Sequence, residues 1–156
     1  MFYIVATPIG NLKDISQRAL EILKEMDLVL CEDTRQTQKL LNYYQIKTKT
    51  LSYHQHSKLK KIEYIAGLLR EGNNLALVSD AGTPGIADPG NKLIGYLIKE
   101  LPELKIIPIP GPSALASAAS IAGIAMDRFL FLGYLPTKKR RQRFLKEIIN
   151  SKYPVI

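Results

Sequence analysis

The sequence predicts an α/β protein with a mostly parallel five-stranded sheet, flanking helices and the start of a second α/β domain. Two observations predict the sheet. Short apolar runs alternate with segments of helical periodicity, and several runs are followed by loops rich in glycine and proline. Chain length is a third observation. A chain of 156 residues, of which 46% are hydrophobic, can form one domain with a buried core, or one domain and part of another.

In the first part of the chain, apolar runs predict three strands: Phe2–Ala6, Leu28–Cys31 and a weaker one over Thr50–Tyr53. Two helices are expected between them. Asp14 is expected to cap the first helix. Its apolar face would comprise Ile15, Ala19, Ile22, Leu23 and Met26. The second helix is predicted over Thr34–Tyr44.

In the next part, Ser57 is expected to cap a helix with an apolar face of Ile62, Ile65, Ala66 and Leu69. The fourth and fifth strands are predicted over Leu75–Ser79 and Lys105–Ile109, with a helix over Asn91–Leu101 between them. Pro108 indicates that the fifth strand lies at an edge or ends there, because proline cannot donate to a sheet.

The pattern changes after Gly123. A strand-like run, Phe129–Leu135, is followed by a basic helix over Lys138–Asn150 and by YPVI, which is typical of another strand. The predicted organisation is therefore a first domain over residues 1–123 and the beginning of a second domain over residues 124–156.

Composition narrows the classes of protein. No apolar stretch approaches the ~20 residues needed to span a bilayer, so no membrane association is expected. The N-terminal MFYIVATPIG lacks a basic region before its apolar run, which indicates a strand and not a signal peptide. A single cysteine, Cys31, excludes an intrachain disulfide and fits a reducing cytosol, so a cytoplasmic location is expected.

The net charge of +8 is concentrated near the end of the chain. From Lys138 onward there are seven Lys/Arg residues and one acid, Glu147, which together supply +6. The segment KKRRQRFLK can attract a phosphate backbone, or it can be the solvated face of a helix. Charge alone leaves both interpretations open.

Three unusual loops follow predicted strands: TPIGN at Thr7–Asn11, DAGTPGIADPG at Asp80–Gly90 and PGPSA at Pro110–Ala114. In parallel sheets, ligands bind outside the carboxyl ends of the strands. Glycines permit backbone dihedral angles closed to other residues, and prolines stiffen a loop before binding. These loops are therefore predicted to converge on one ligand, although a long turn would also explain the second loop.

Common nucleotide and hydrolase motifs are absent from the sequence. There is no GxGxxG after the first strand, no GxxxxGK[ST] and no GxSxG. His54 and His56 form an HxH pair, but without a nearby acidic cluster they are interpreted as loop residues, and no metal is expected. Cys31 lies in an apolar run, which favours a buried core thiol over a nucleophile.

Five segments together resemble one family, in the same order along the chain: VATPIGNL (residues 5–12), EDTRQTQKLL (32–41), ALVSDAGTPGIADPG (76–90), PIPGPSAL (108–115) and RFLFLGYLPTKKRRQR (128–143). They are similar to the small-subunit ribosomal RNA 2′-O-methyltransferase I family, part of the wider group of tetrapyrrole-methylase-like enzymes that use S-adenosylmethionine. The resemblance covers nearly the whole chain. It implies a longer, two-domain protein.

The resemblance implies an enzyme that methylates the 2′-hydroxyl of a cytidine in 16S ribosomal RNA of the small ribosomal subunit, with S-adenosylmethionine as methyl donor in a cleft between two domains. It also implies a homodimer. Carried over by motif, the donor-binding residues would be Pro8, Asp80, Ala81, Gly82, Thr83, Pro84, Ala87, Ser113 and Ala114.

A polar cluster follows the second strand. Glu32 and Asp33 are candidate catalytic acids that take or orient the hydroxyl proton, and Arg35 is a candidate to hold a phosphate. The alternative is an acidic helix start that only complements the helix dipole. With an RNA substrate, the basic segment gains candidate phosphate contacts at Lys138, Lys139, Arg140, Arg141 and Arg143.

Two other functions stay open. One is a related methylase that acts on a tetrapyrrole or on the diphthamide precursor, although EDTR and the basic GYLPTKKRR segment favour RNA. The other is a non-catalytic or incomplete fragment that binds RNA or a nucleotide.

Overall fold

A computed structural model describes residues 1–54, 57–137 and 140–156. It confirms the predicted α/β class, and within these residues all five strands of the sheet pair in parallel, in the order β3-β2-β4-β1-β5. The strands are β1 Phe2–Val5, β2 Leu28–Cys31, β3 Thr50–Ser52, β4 Leu75–Val78 and β5 Ile106–Ile109. β5 is an edge strand, as Pro108 indicated.

The helices also follow the predicted order. A short 3₁₀ helix covers Leu12–Asp14, and the α-helices are α1 Gln17–Glu25, α2 Thr34–Tyr43, α3 Leu59–Arg70, α4 Gly90–Glu100, α5 Ala114–Ser120 and α6 Arg140–Ile149. Among the described residues, no helix has both the length and the apolar character required to cross a membrane.

The sheet is buried on both faces, with a separate core on each. One core joins Val5, Val29 and Val78 to apolar residues of α1 and α2, and the other joins Ile4, Leu30 and Leu77 to those of α3 and α4. Neighbouring strand residues alternate between the cores because successive side chains point to opposite faces. The chain therefore moves along the sheet with its first two helices on one face and the next two on the other.

Both predicted helix caps in the first half of the chain are wrong. Asp14 belongs to the 3₁₀ helix, and the hydroxyl of Ser16 caps α1 by accepting a hydrogen bond from the Ala19 N–H at 3.2 Å. Ser57 instead accepts a hydrogen bond from the His54 N–H at 3.0 Å, and α3 begins after Lys58 without a side-chain cap. A short polar side chain accepts a hydrogen bond from a nearby backbone N–H group, so the conformation of the turn decides which residue caps the helix.

The chain divides into two compact units, Met1–Ser113 and Ala114–Ile156. The second contains α5, α6 and one isolated parallel bridge between Leu130 and Val155, so the run over residues 129–135 does not form the predicted strand. None of its described residues is buried. The predicted domain boundary at residues 123/124 stays a prediction.

Candidate functional site

The three loops predicted to share a ligand meet at the carboxyl edge of the sheet. Thr7 and Gly82 exchange two backbone hydrogen bonds, from the Thr7 N–H at 2.9 Å and from the Gly82 N–H at 3.0 Å. The Thr83 hydroxyl donates to the Pro112 carbonyl at 3.2 Å. Pro8 and Ser113 are chain neighbours of these contact residues, so the structure brings them to the same edge as Gly82.

Two buried hydroxyls, which the sequence analysis did not single out, reinforce this junction. The Thr7 hydroxyl donates to the Ser79 carbonyl at 3.0 Å, and the Ser79 hydroxyl lies 3.1 Å from the Gly82 carbonyl. Buried carbonyls need donors. A hydroxyl residue directly after each of two apolar strands was the sequence signal for this role.

The loop over residues 80–90 uses backbone conformations that favour glycine. Gly82 and Gly85 have φ angles of +84° and +88°, in the left-handed region that glycine permits. A Cβ on Gly82 would lie 3.4 Å from Cγ2 of Ile9, so the first loop packs directly against this residue. Ala87 also has a positive φ, +57°, which is uncommon for a residue with a side chain and marks local strain.

Asp88 holds the far end of this loop, a role that the sequence analysis missed. Its carboxylate accepts hydrogen bonds from the Gly85 N–H at 2.8 Å and from the Gly90 N–H at 2.7 Å. A Cβ on Gly90 would lie 2.9 Å from Oδ1 of Asp88 and 2.9 Å from Cδ2 of Leu77. The loop therefore has a fixed shape determined by its own backbone and one carboxylate.

Two cavities border the loop, and no described residue lines both of them. The first, of about 210 Å³, is lined by Pro8 and Asp80 among the predicted donor-binding residues. The second, of about 520 Å³, is lined by Ala87 together with Glu32. Three of the nine predicted donor-binding residues therefore line one or the other of these two cavities.

The remaining predicted donor-binding residues differ in accessibility. Ala81 is exposed, Thr83 and Ser113 are half-buried, and Gly82 and Pro84 are buried. Ala114 is exposed and begins α5, in the second compact unit.

Asp33 and Arg35 bind each other through an ion pair and hydrogen bonds. The carboxylate of Asp33 caps α2 by accepting a hydrogen bond from the Arg35 N–H at 2.9 Å, and it forms an ion pair with the Arg35 guanidinium at 2.6 Å. The hydrogen bonds from Arg35 lower the pKa of Asp33 to about 2. This arrangement supports the interpretation of Asp33 as a helix cap and makes it a weak proton acceptor near neutral pH.

Glu32 has the opposite environment. Its side chain is half-buried, and among the described residues its carboxylate has no hydrogen-bond partner. Burial raises the pKa of Glu32, and the nearby charges of Asp80 and Asp88 raise it further. A raised pKa makes a carboxylate a better base, so Glu32 suits proton transfer better than Asp33 does.

Other candidate residues have structural roles or lie partly outside the described residues. Cys31 is buried, as predicted, and burial raises the pKa of its thiol. Within residues 1–54, 57–137 and 140–156, no group of three or more His, Cys, Asp or Glu residues could hold a metal ion. His56 lies outside the described residues.

The basic segment is described only in part. Lys138 and Lys139 lie outside the described residues, whereas Arg140, Arg141 and Arg143 are exposed near the start of α6.

A parallel sheet with a glycine- and proline-rich cluster of loops at its carboxyl edge matches one known class. The profile of the family described as Tetrapyrrole (Corrin/Porphyrin) Methylases covers residues 1–156, and the chain belongs to this family. The fold is similar to the crystal structure of uroporphyrin-III-C-methyltransferase from Thermus thermophilus, with a TM-score of 0.58 and 18% identity over 83% of this chain and 57% of that one.

Sequence comparison finds much more similar relatives. Proteins named ribosomal RNA small subunit methyltransferase I are 46% identical in Synechocystis sp., 50% in Thermotoga maritima and 47% in Halalkalibacterium halodurans. The matches cover 100%, 93% and 99% of this chain, but only 56%, 64% and 53% of the relatives. The chain therefore spans between about half and two thirds of the length of these relatives.

Proposed function

We propose that this chain is the donor-binding part of an S-adenosylmethionine-dependent enzyme that methylates the 2′-hydroxyl of a cytidine in 16S ribosomal RNA. The observation that carries the proposal is the junction of three loops, tied by the Thr7–Gly82 pair and the Thr83–Pro112 hydrogen bond. This junction occurs in a chain 46–50% identical to proteins named for methylation of small-subunit ribosomal RNA.

The residues at the junction fit a compact methyl donor. Ala81 is exposed and carries only a methyl group, so the loop backbone beside it is accessible to a ligand, and the positive φ of the neighbouring Gly82 preorganises that backbone. We propose that the donor is held by Pro8, Asp80, Ala81, Gly82, Thr83, Pro84, Ala87, Ser113 and Ala114. When bound, S-adenosylmethionine supplies an electrophilic methyl group on a positively charged sulfur. The first cavity, at about 210 Å³, is below the roughly 300–1,000 Å³ of ordinary ligand pockets, so it holds only part of such a molecule.

The chain's own contribution to chemistry is the acceptor proton. A 2′-hydroxyl must lose its proton as it is methylated, and a positioned base contributes typically ~10²–10⁴-fold. We assign this proton to Glu32, because its carboxylate is half-buried and uncommitted among the described residues. Asp33 would act only by holding Arg35, whose side chain is 86% exposed and can meet a phosphate.

The basic segment supplies the contacts to RNA in this proposal. Lys138, Lys139, Arg140, Arg141 and Arg143 would bind the phosphate backbone, which predicts a steep loss of RNA affinity with added salt. An RNA affinity that does not respond to salt would return the segment to the interpretation of a solvated helix face.

Two measurements test the proposal. Calorimetry with S-adenosylmethionine is done on this chain and on a version extended to the length of its relatives, and methyl transfer to the small ribosomal subunit is assayed with both. We expect the extended protein to bind the donor and to label a cytidine ribose. Donor binding only by the extended form would assign this chain the role of an incomplete enzyme. Methylation of a tetrapyrrole in place of RNA would contradict the proposal that the substrate is ribosomal RNA.

Homodimer formation and a cytoplasmic location are further parts of the proposal. They rest on the family resemblance, and on the single buried Cys31 for the reducing compartment. Sedimentation equilibrium of the extended protein tests the dimer, with a concentration-independent monomer mass as the contrary result.

A further inference from the structure

Of the described residues that line the second cavity beside the loop, Ala87 alone is proposed to bind the methyl donor. We name it the β2–α4 cavity, because Glu32 follows β2, His54 follows β3, and Asn91 and Lys92 lie in the first turn of α4. Its volume is about 520 Å³, within the range of roughly 300–1,000 Å³ of pockets that bind small molecules. All of these residues belong to the first compact unit.

We propose that the β2–α4 cavity receives one unstacked nucleotide of the acceptor RNA, with Lys92 on a phosphate, His54 against the base and Glu32 at the 2′-hydroxyl. This inference rests on the proposed function and deepens it, because it locates the acceptor at named residues.

The charges around the cavity support a nucleotide. Lys92 is exposed at its rim, and two carboxylates line it, those of Glu32 and Asp88. Asp88 is already occupied by the N–H groups of Gly85 and Gly90. One cation and one uncommitted carboxylate therefore face the same space, and a ribonucleotide presents the matching pair of groups, a phosphate and a hydroxyl.

The uncharged lining matches the rest of a nucleotide. An imidazole ring offers a flat face on which an unstacked base can stack, as histidines do in other RNA-binding proteins. The amide of Asn91 offers both a donor and an acceptor to a base edge. A base inside a duplex cannot reach such a space, so the target must be single-stranded or turned out of its stack.

The position of the cavity suits methyl transfer from the neighbouring loop junction. The loop over residues 80–90 contributes Asp80 to the first cavity and Ala87 to the β2–α4 cavity. Because the 2′-hydroxyl oxygen must displace the methyl group directly from sulfur, donor and acceptor would meet at the edge of this loop. Among the described residues of the β2–α4 cavity, Ala87 alone is also assigned to the donor, so substitutions of Lys92 or His54 should weaken RNA binding without changing donor binding.

The test uses the protein extended to the length of its relatives and a short single-stranded oligoribonucleotide that contains cytidine. Lys92→Ala is compared with Lys99→Ala, its matched control on the same helix. Both lysines are exposed, and seven residues place Lys99 two turns, ~10 Å, further along α4. We expect Lys92→Ala to weaken RNA binding about tenfold and to reduce the salt dependence by about one phosphate contact, whereas Lys99→Ala changes neither.

A second pair of variants tests His54 and guards against a folding defect. His54→Phe keeps a flat ring and is expected to retain RNA affinity, whereas His54→Ala is expected to lose it, with donor affinity unchanged in both. Circular dichroism and thermal unfolding confirm that each variant is folded.

Three results would overturn the inference. They are an equal effect of Lys92→Ala and Lys99→Ala, a loss of S-adenosylmethionine affinity in place of RNA affinity, and unchanged RNA affinity in folded Lys92→Ala and His54→Ala variants. In each case, methylation of the small subunit by the wild-type protein would leave the proposed function standing. The absence of donor binding and methylation in the wild type would instead refute the proposed function itself.

Discussion

The segments that follow β2 and β4 lie at the same sheet edge but use their carboxylates differently. After β2 the chain enters α2 at once. The carboxylate of Asp33 accepts a hydrogen bond from the Arg35 N–H in the first turn of this helix and also forms an ion pair with the Arg35 guanidinium. After β4 the chain makes a long loop, and Asp88 holds it through two backbone N–H groups. Asp33 and Asp88 each accept hydrogen bonds from backbone N–H groups of their own segment. Glu32 and Asp80 border the two cavities, and Asp88 also lines the second one.

This difference shows how a single edge can provide both rigidity and chemistry. The β4 loop presents a fixed backbone, whereas the β2 segment presents the half-buried carboxylate of Glu32, whose neighbour Asp33 caps the helix. The two segments are joined directly, because the Asp33 N–H donates to the Asp80 carboxylate at 3.1 Å. Substitutions of individual residues test whether the carboxylates of the two segments differ in this way.

The largest effect is expected from Glu32→Gln in the β2 segment. Removing the base should lower methyl transfer by ~10²–10⁴-fold with donor affinity unchanged. The pKa of Glu32 is raised, so wild-type activity should fall as the pH falls through that raised value, and the variant should lack this acidic limb. Methyl-transfer rates measured across a range of pH test both expectations, and Glu63→Gln, on an exposed part of α3, is the control.

Stability should move in the opposite direction in the same variant. A raised folded-state pKa means that the ionised Glu32 disfavours the fold, so Glu32→Gln should be the more stable protein at neutral pH, and the gain should shrink in acid. Unchanged activity with this stability gain would remove Glu32 from the mechanism.

The second effect concerns the β4 loop. Asp88→Ala leaves the N–H groups of Gly85 and Gly90 without their carboxylate and should lower the free energy of unfolding by roughly 1.5–3 kcal/mol. Asp88→Asn keeps one acceptor oxygen and should lose less. Urea denaturation measures both. Equal losses would show that the neutral amide cannot replace the charged acceptor, and no loss in Asp88→Ala would show that the carboxylate does not hold the loop.

The third effect compares two glycines of α4. Gly90→Ala places a methyl group 2.9 Å from both Asp88 and Leu77 and should destabilise the protein by about 1–3 kcal/mol. Gly95→Ala meets no heavy atom within 4 Å and should stabilise it by roughly 0.5–1 kcal/mol, because alanine favours a helix. Thermal unfolding measures both variants, and a raised melting temperature in Gly90→Ala would contradict the crowding at Gly90.

The smallest effect is expected at Asp33. Asp33→Ala removes the cap of α2 and should lower the melting temperature slightly, whereas Asp33→Ser should retain most of it. With a folded-state pKa of about 2, the wild-type advantage should be complete above about pH 4 and be lost as the pH falls towards 2. Activity should persist in both variants; its loss in both would place Asp33 in the chemistry.

Much of the fold could be predicted because it depends on local pattern. The apolar runs became strands, and Pro108 correctly indicated an edge strand, since a missing N–H is a property of the residue itself. Helix boundaries were less predictable: Ser16, not Asp14, caps α1. Among the described residues, the strand-like run over residues 129–135 forms one bridge and no strand, because a strand requires a partner as well as an apolar pattern.

The sequence by itself determined the parallel α/β sheet, the positive φ angles of Gly82 and Gly85 and the order of the family motifs, since each follows from residue type and near neighbours. Only the tertiary structure decided that Asp33 caps a helix while Glu32 faces a cavity beside Asp88. The physical reason is distance along the chain: the pKa of Glu32 depends on burial and on Asp80 and Asp88, about fifty positions away, which local pattern cannot encode.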